Sequence, residues 1–373
     1  MLTLFFIHNS FQIGIDPFWQ RSSTCSNEIL KSWLEKRKRI REAGQYKNSE
    51  RINRMKILKL QPCYKDYLWG GRKLVEKYNK HYSGDVLAET WELSCHPDGS
   101  SVIAEGDSKG LTLRDYIRRN GSKVLGKNCA RFNDFPIMIK FIDAHDNLSV
   151  QVHPKDEYAL KNEHQYGKTE MWYVLEGDED AFLYYGFSKN ISKEELQERI
   201  QNNTLTDVLN RVPVKKGDTF FIESGTVHAI GKGCVIAEIQ ENSNVTYRIY
   251  DYGRKDKFGH QRELHVDKAL QVTNRNQLDK IKSYAPHLGL CKYFKVDKLD
   301  LDGEYVQSAQ GYVGEESFLH ILVTEGRGSI ESDEKLSIQK GDSLFLPANI
   351  GSYTIRGNCE LILTSIPQYQ EAL

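Results

Sequence analysis

Two stretches of this chain carry side chains whose types and spacing suit a metal ion. In the first, QVHPKDEYALKNEHQYGKTEMWYVLEG from Gln151 to Gly177, Gln151 and His153 stand at i and i+2, so on a strand both point to one face. Glu170 follows after about the length of a strand, a loop and a returning strand. In the second, GDTFFIESGTVHAIGKG from Gly217 to Gly233, a turn and a buried strand lead to His228. Two imidazoles, a carboxylate and a neutral amide oxygen suit zinc or another divalent transition metal better than magnesium or calcium, which favour all-oxygen shells. A single strand histidine is more often structural than a ligand. It is the company of Gln151, Glu170 and the Gly-Asp strand signal that makes His153 and His228 read as a cage. His96, His145, His164, His260 and His265 have no comparable pairing and read as turn or surface residues.

The elements that must position these groups are short β-type runs broken by turn residues. ILKLQP is followed by AETWELSCHPDGSSVIAEG, in which His96-Pro97-Asp98-Gly99 supplies a turn. LTLRDYIRRNG predicts a short helix capped by Thr112 and ended at Gly121. FPIMIKFIDAHDNLSVQVHP predicts two strands, and Lys140 is a lone cation inside the first of them. After Gly177, apolar residues at broadly helical spacing from Ile191 to Leu209 predict a helical insertion near 190–212. The sheet resumes through CVIAEIQENSNVTYRIYDYGR, whose alternation puts Glu238 and Gln240 on one face and Arg248 on a face with Thr246 and Tyr250. RELHVDKALQVTN predicts a further short helix. Trp91 and Trp172 lie in apolar strand contexts and read as core.

From about Cys291 the pattern repeats in outline. VLEGDEDAFL from Val174 is echoed by VTEGRGSIES from Val323, and GDTFFIESGTVHAI from Gly217 by GDSLFLPANIGSYTI from Gly341. In that alignment Leu319 stands opposite Glu170 and Ser352 opposite His228, so the second copy keeps the fold signals and loses the chemistry. Repeated Gly-Asp turns ahead of apolar strands suggest antiparallel jelly rolls, which can hold an ion in their mouth.

Composition narrows the rest. At 373 residues the chain has room for more than one domain, and Lys+Arg and Asp+Glu balance at 51 each, so no global field argues for nucleic acid or a membrane surface. Seven cysteines without a CxxC pair favour reduced thiols and a cytoplasmic location. MLTLFFI is too short to span a bilayer and lacks a preceding basic residue. Residues 1–54 differ from the remainder: an apolar start gives way to a basic helical run, NEILKSWLEKRKRIREAG, and a polar tract. They read as a dispensable, helical or disordered extension, with Met55 as a natural domain start.

At YLWGG, AETWELS, LSVQVHPKDEYA, GKTEMWYVL, SGTVHAI and NSNVTYRIYDYGR, in that order, the chain resembles the cupin superfamily, and within it type I mannose-6-phosphate isomerase of the short form found in Gram-positive bacteria. The resemblance runs from about Met55 to the C-terminus. Glu223 stands where cupins often carry proline, and Gly225 still permits the turn that presents His228. The resemblance implies a mainly β chain of two cupin jelly-roll barrels: a catalytic unit over 55–270 and a metal-free unit over 290–373. It implies one zinc per chain held by Gln151, His153, Glu170 and His228, a catalytic arginine at Arg248, active-site lysines at Lys140 and Lys168, and a pocket carboxylate at Glu238.

The chemistry implied is aldose-ketose interconversion through an enediol, for which zinc would stabilise developing negative charge. Glu238 and Lys168 are alternative bases. Arg248 stays protonated, which suits it to transition-state electrostatics and phosphate contact. In the absence of a Walker-type loop, phosphate would fall to Arg248, Lys140, Lys155 and Lys168. The partner expected is therefore a small sugar phosphate, with the chain a monomer or homodimer. Competing readings are an iron-dependent cupin oxygenase and a non-catalytic sugar-phosphate-binding module.

Overall fold

The computed structural model describes residues 55–255 and 258–369, together with the backbone of two strands at Leu2–Ile7 and Ser10–Ile15. Those two strands pair with each other, and the first lies parallel to Val306–Val313, so the start of the chain is β-structure rather than helix. The basic run expected to be helical lies outside the described residues.

The chain is mainly β, as expected, and its first barrel is made of two antiparallel sheets. A six-stranded sheet runs in the order Thr219–Ile222, Glu170–Gly177, Cys234–Glu241, Ile137–Ala144, Glu89–Leu93, Cys63–Lys65. A five-stranded sheet runs Leu209–Pro213, Phe182–Phe187, His228–Ile230, Val150–Val152, Tyr247–Tyr250. The central strands of the larger sheet read as unbroken apolar runs because both of their faces are covered. Ile137, Ile139 and Phe141 point outward with Met171, Tyr173, Val235 and Ala237 into a cluster shared with Phe318, Phe345 and Ile362 of the second barrel. The opposite face carries Ile142, Ala144, Trp172, Val174 and Ile236 into the barrel interior. Lys140 and Glu238 share that interior face by alternation, so their charges lie inside the barrel.

The helix at Leu113–Asn120 has the expected Thr112 cap, which accepts from the Asp115 amide, and Gly121 follows it with a φ of 79°. The insertion is shorter than the expected 190–212. It consists of a helix at Lys193–Gln201 and a 3-10 turn at Leu205–Val208; Leu209–Pro213 is instead a strand paired with Phe182–Phe187. Strand pairing overrides helical spacing there. The helix in RELHVDKALQVTN is confined to Val266–Val272.

The internal echo holds at the level of single hydrogen bonds. In the first barrel the Val174 amide donates to the Asp218 carbonyl at 2.9 Å and the Gly217 amide to the Val174 carbonyl at 2.9 Å; in the second, Val323 donates to Asp342 at 2.9 Å and Gly341 to Val323 at 2.8 Å. Glu170 pairs with Ile222 as Leu319 pairs with Leu346. The two barrels are not separate in sequence, however. Leu58–Gln61, expected in the first unit, is hydrogen-bonded to Ser343–Leu346 and extends the sheet of the second. The six cysteines among the described residues are free thiols, and no helix among those residues is long and apolar enough to cross a membrane.

Gly217 and Gly341 occupy equivalent turns, each with a φ of 92°. A Cβ at Gly217 would meet nothing within 4 Å, whereas one at Gly341 would lie 1.9 Å from the Tyr78 carbonyl oxygen. Gly217→Ala is therefore expected to destabilise by about 1–2 kcal/mol, from left-handed backbone strain alone. Gly341→Ala should lose a further ~1–3 kcal/mol or more through the clash. Urea unfolding midpoints compare them directly, and equal midpoints would refute the difference.

Candidate active site

His153, Glu170 and His228 converge inside the first barrel, with their ligand-capable atoms all within 4.8 Å of one another. Each arrives from a different element. His153 follows the strand Val150–Val152, Glu170 opens the strand Glu170–Gly177, and His228 opens His228–Ile230. The turn that presents His228 is tied to His153 itself, because the Gly225 amide donates to the His153 carbonyl at 2.8 Å. Gln151 is the direct cross-strand partner of His228, and its side-chain amide lies 3.3 Å from His228 Nε2. A flip of that amide, which leaves its shape unchanged, turns Oε1 toward the same centre.

Backbone carbonyls set the tautomer of both imidazoles. His153 Nδ1 lies 2.9 Å from the Val245 carbonyl and His228 Nδ1 lies 2.8 Å from the Thr226 carbonyl, so each ring carries its proton there and turns a bare Nε2 inward. Burial, followed by the Lys168 charge, pushes both rings below the usual imidazole range, His228 to about 3. Both histidines are thus neutral. Glu170 Oε1 lies 3.3 Å from His228 Nε2 and has no hydrogen-bond donor, and its Oε2 lies 3.7 Å from His153 Nε2. Two bare imidazole nitrogens and a carboxylate that face one another repel unless a cation or a proton joins them. The Lys168 ammonium takes that part in this structure, 3.2 Å from His153 Nε2 and hydrogen-bonded to Glu170, standing in for a metal ion. The donor set therefore fits a divalent transition metal.

The cluster opens on a cavity of about 220 Å³ lined by Gln151, Lys140, Lys168, Glu238 and Arg248. Two rungs of β-pairing bring these residues together from opposite sheets. One rung runs His228, Gln151, Arg248; the other runs Trp172, Glu238, Lys140, Trp91. Lys140 Nζ lies 3.3 Å from Glu238 and 3.5 Å from Glu89, and Lys168 Nζ lies 3.5 Å from Glu238. The Trp172 indole donates to Glu238 at 2.9 Å. Burial works against both charges, but Glu89 and Glu238 raise the Lys140 ammonium, and Lys168 and Lys140 depress the Glu238 carboxyl. Glu238 is consequently ionised although fully enclosed.

Arg248 does not pair with Glu238. One of its terminal nitrogens donates to the Glu263 carbonyl at 2.9 Å, and its Nε is buried without a partner. Lys155 is not brought to the site: it is exposed at the start of the helix Asp156–Asn162, because the chain turns outward after His153. His96, expected at a surface turn, is buried, with its ring edge-on to Trp91 and its Nε2 3.1 Å from Gln165.

Sequence reasoning passed over Glu89, read Trp91 as core and passed over Arg262, and all three line the cavity. The signal for the first two was present, since alternation in AETWEL puts Glu89 and Trp91 on one face. Arg262 lies in irregular backbone, where no periodicity points. A larger cavity of about 1020 Å³, bordered by Arg114, Phe132 and Tyr166, shares no residue with this site. In the second barrel Leu319 and Ser352 occupy the positions of Glu170 and His228, and among the described residues the triad is the one such metal-competent group found.

Residues 57–179 match the family model described as phosphomannose isomerase type I, catalytic domain, and residues 286–366 match that of the mannose-6-phosphate isomerase cupin domain. The chain is 36% identical over 319 residues to mannose-6-phosphate isomerase ManA of Bacillus subtilis, covering 82% of this chain and 98% of that one. It is 36% identical over 304 residues to a mannose-6-phosphate isomerase of Streptococcus mutans, covering 79% and 93%. The crystal structure of the mannose 6-phosphate isomerase from Bacillus subtilis superposes with a TM-score of 0.75 at 34% identity, covering 83% of this chain and 99% of that one.

Burial and the neighbouring Glu238 push the Glu170 carboxyl well above the usual carboxylate range, whereas both histidines are already neutral. A cation must displace the proton on Glu170, so zinc binding near neutral pH is expected to release about one proton and to strengthen as pH rises. Titration calorimetry in buffers of different ionisation enthalpy counts that proton. Glu170→Gln should abolish the release and weaken zinc binding by at least ~100-fold. Unchanged affinity in that variant would remove Glu170 from the ligand set.

Proposed function

The chain belongs to the type I mannose-6-phosphate isomerase family, and from that premise we propose that it is a zinc-dependent aldose-ketose isomerase interconverting mannose 6-phosphate and fructose 6-phosphate through an enediol. The observation that carries this reading is the junction of two unlike environments in one cavity. A buried acceptor triad suited to a metal stands beside an ionised, enclosed carboxylate flanked by two ammonium groups.

Held by His153, Glu170, His228 and the Gln151 amide oxygen, zinc would supply a Lewis acid that polarises the substrate carbonyl and stabilises negative charge developing beside it. The remaining work belongs to the protein's own groups. Glu238 is the proposed proton acceptor: it is ionised and fixed by the Trp172 indole, and its Oε1 has no hydrogen-bond donor. It would take the proton from C2 of the aldose and return it to C1, while Lys168 gives a proton to O1 and recovers one from O2. Lys140, fixed between Glu89 and Glu238, holds the acceptor's orientation and borders the sugar. Arg248, with an unpartnered buried Nε, supplies a fixed positive charge whose field across the cavity favours the developing enediolate. The same two-histidine carboxylate set serves iron oxygenases. The cations that line this cavity favour an anionic substrate instead.

Incubation of the protein with mannose 6-phosphate in deuterated water tests this reading. Fructose 6-phosphate should form with solvent deuterium incorporated at the transferred position, a chelator should abolish turnover, and added zinc should restore it. Absence of turnover in zinc-loaded protein would sink the isomerase reading, and turnover indifferent to chelation would sink the metal's role.

Residues 1–54 are proposed to be dispensable for this activity. About 82% of the chain accounts for 98% of the Bacillus subtilis relative, and the first family match begins at residue 57. A chain beginning at Met55 should retain kcat/KM within about twofold. A larger loss would make the extension part of the working enzyme.

A further inference from the structure

Four cations line the cavity, and the structure divides them into two kinds. Lys140 and Lys168 are occupied: Lys140 lies between Glu89 and Glu238, and Lys168 between Glu170 and Glu238. Both ammonium groups at the metal end are therefore already committed to carboxylates, which makes that end a poor seat for a phosphate. Arg248 and Arg262 are the other kind. They stand with Arg254 around a single buried carboxylate, Asp251, so that three guanidinium groups share one neutralising charge. The other carboxylate whose charge reaches Arg248, that of Glu263, is solvent-exposed.

The geometry leaves donors free on the two arginines that face the cavity. Arg262 gives one edge of its fork to Asp251, with Nε 2.8 Å from Oδ2 and a terminal nitrogen 2.5 Å from Oδ1. That bidentate grip fixes the plane of the guanidinium and leaves its other terminal nitrogen uncommitted. Arg254, in contrast, spends its donors on Asp251 and on the Asn147 carbonyl, and it does not line the cavity. Arg262 and Arg248 are also fixed relative to each other. The Arg248 amide donates to His265 Nδ1 at 3.2 Å, the His265 amide to the Arg248 carbonyl at 2.8 Å, and the Arg248 guanidinium to the Glu263 carbonyl at 2.9 Å. The segment that carries Arg262 is thus laced to the strand that carries Arg248.

The rung His228, Gln151, Arg248 sets the separation from the metal end: two strand spacings, or about 10 Å between the outer backbones. Such a span suits an open-chain hexose held by its carbonyl end at the triad and by its terminal phosphate at the arginines. We propose that Arg262, oriented by Asp251 and acting with Arg248, forms the subsite that binds the phosphate monoester of the substrate. This assignment rests on the isomerase reading above and moves the phosphate away from Lys140, Lys155 and Lys168. A dianionic phosphate matches the two positive charges that Asp251 leaves unneutralised.

Steady-state kinetics of Arg262→Ala and Arg262→Lys in the zinc-loaded full chain test the subsite, with inorganic phosphate as a competitive inhibitor. Arg262→Ala should lower kcat/KM for mannose 6-phosphate by ~10- to 100-fold and raise the inhibition constant of inorganic phosphate by a similar factor, with zinc content unchanged. Arg262→Lys keeps the charge without the fork and should recover only part of the loss. It also serves if removal of the Asp251 partner unfolds the alanine variant. If Arg262 only anchors Asp251, unfolding midpoints will fall while the phosphate constant of a folded variant stays at the wild-type value, and the proposal is overturned. If wild-type protein fails to convert mannose 6-phosphate, the isomerase reading fails separately. Calorimetric titration of inorganic phosphate then decides the subsite alone: tighter binding to wild type than to Arg262→Lys supports it, and equal binding overturns it.

Discussion

The structure depends on one electrostatic constraint: three buried ligand-capable groups within 4.8 Å of each other, two of them imidazoles whose protons point away from the centre. Their arrangement is unfavourable without a cation, and much around them prevents its relaxation. The Val245 and Thr226 carbonyls hold the imidazole protons on the outer nitrogens, so neither ring can relieve the repulsion by changing tautomer. The Gly225 amide ties the loop that carries His228 to the backbone of His153, so the rings do not drift apart. A fold that holds such a cluster together keeps both imidazoles neutral and metal-competent before any ion arrives, and leaves Glu170 as the group whose proton a cation must displace.

The charge pattern extends outward from that centre in a definite order. Next to the triad lie two lysines amid three carboxylates, where Glu238 stays ionised under full burial because ammonium groups face it. Beyond them, on and after the far strand of the smaller sheet, Arg248, Arg254 and Arg262 gather around Asp251 and leave positive charge in excess. A polar substrate with an uncharged reacting end and an anionic tail would find each end matched in such a gradient, and its orientation would follow from electrostatics before any close contact formed.

The second barrel supplies an internal control on what folding alone demands. Its Gly-Asp turn repeats the hydrogen bonds of the first, and Leu319 takes the pairing position of Glu170. An apolar side chain at that position closes the sheet equally well. Glu170, buried with one oxygen unpartnered, is thus a residue the barrel tolerates for its chemistry and has no need of for its packing.

The sequence by itself determined the alternation that turns Gln151 and His153 to one side, the Gly-Asp turns that mark both barrels, and the presence of Lys140 and Glu238 as charges within apolar strands. These are consequences of a two-residue period and of backbone conformation, which neighbouring residues fix locally. Only the tertiary structure decided which charges meet. Alternation assigns a side chain to a face of its own strand but is silent about which distant strand lies opposite. Hence Glu238 met Lys140 and Lys168 instead of Arg248, and Glu89 and Trp91 entered the cavity from a strand that reads as core. Lys155, two residues from a candidate ligand, turned out to solvent, and Arg262, in backbone without a period, turned in. Charge pairing depends on the inverse of distance in space, and sequence separation carries no record of that distance once the sheets close.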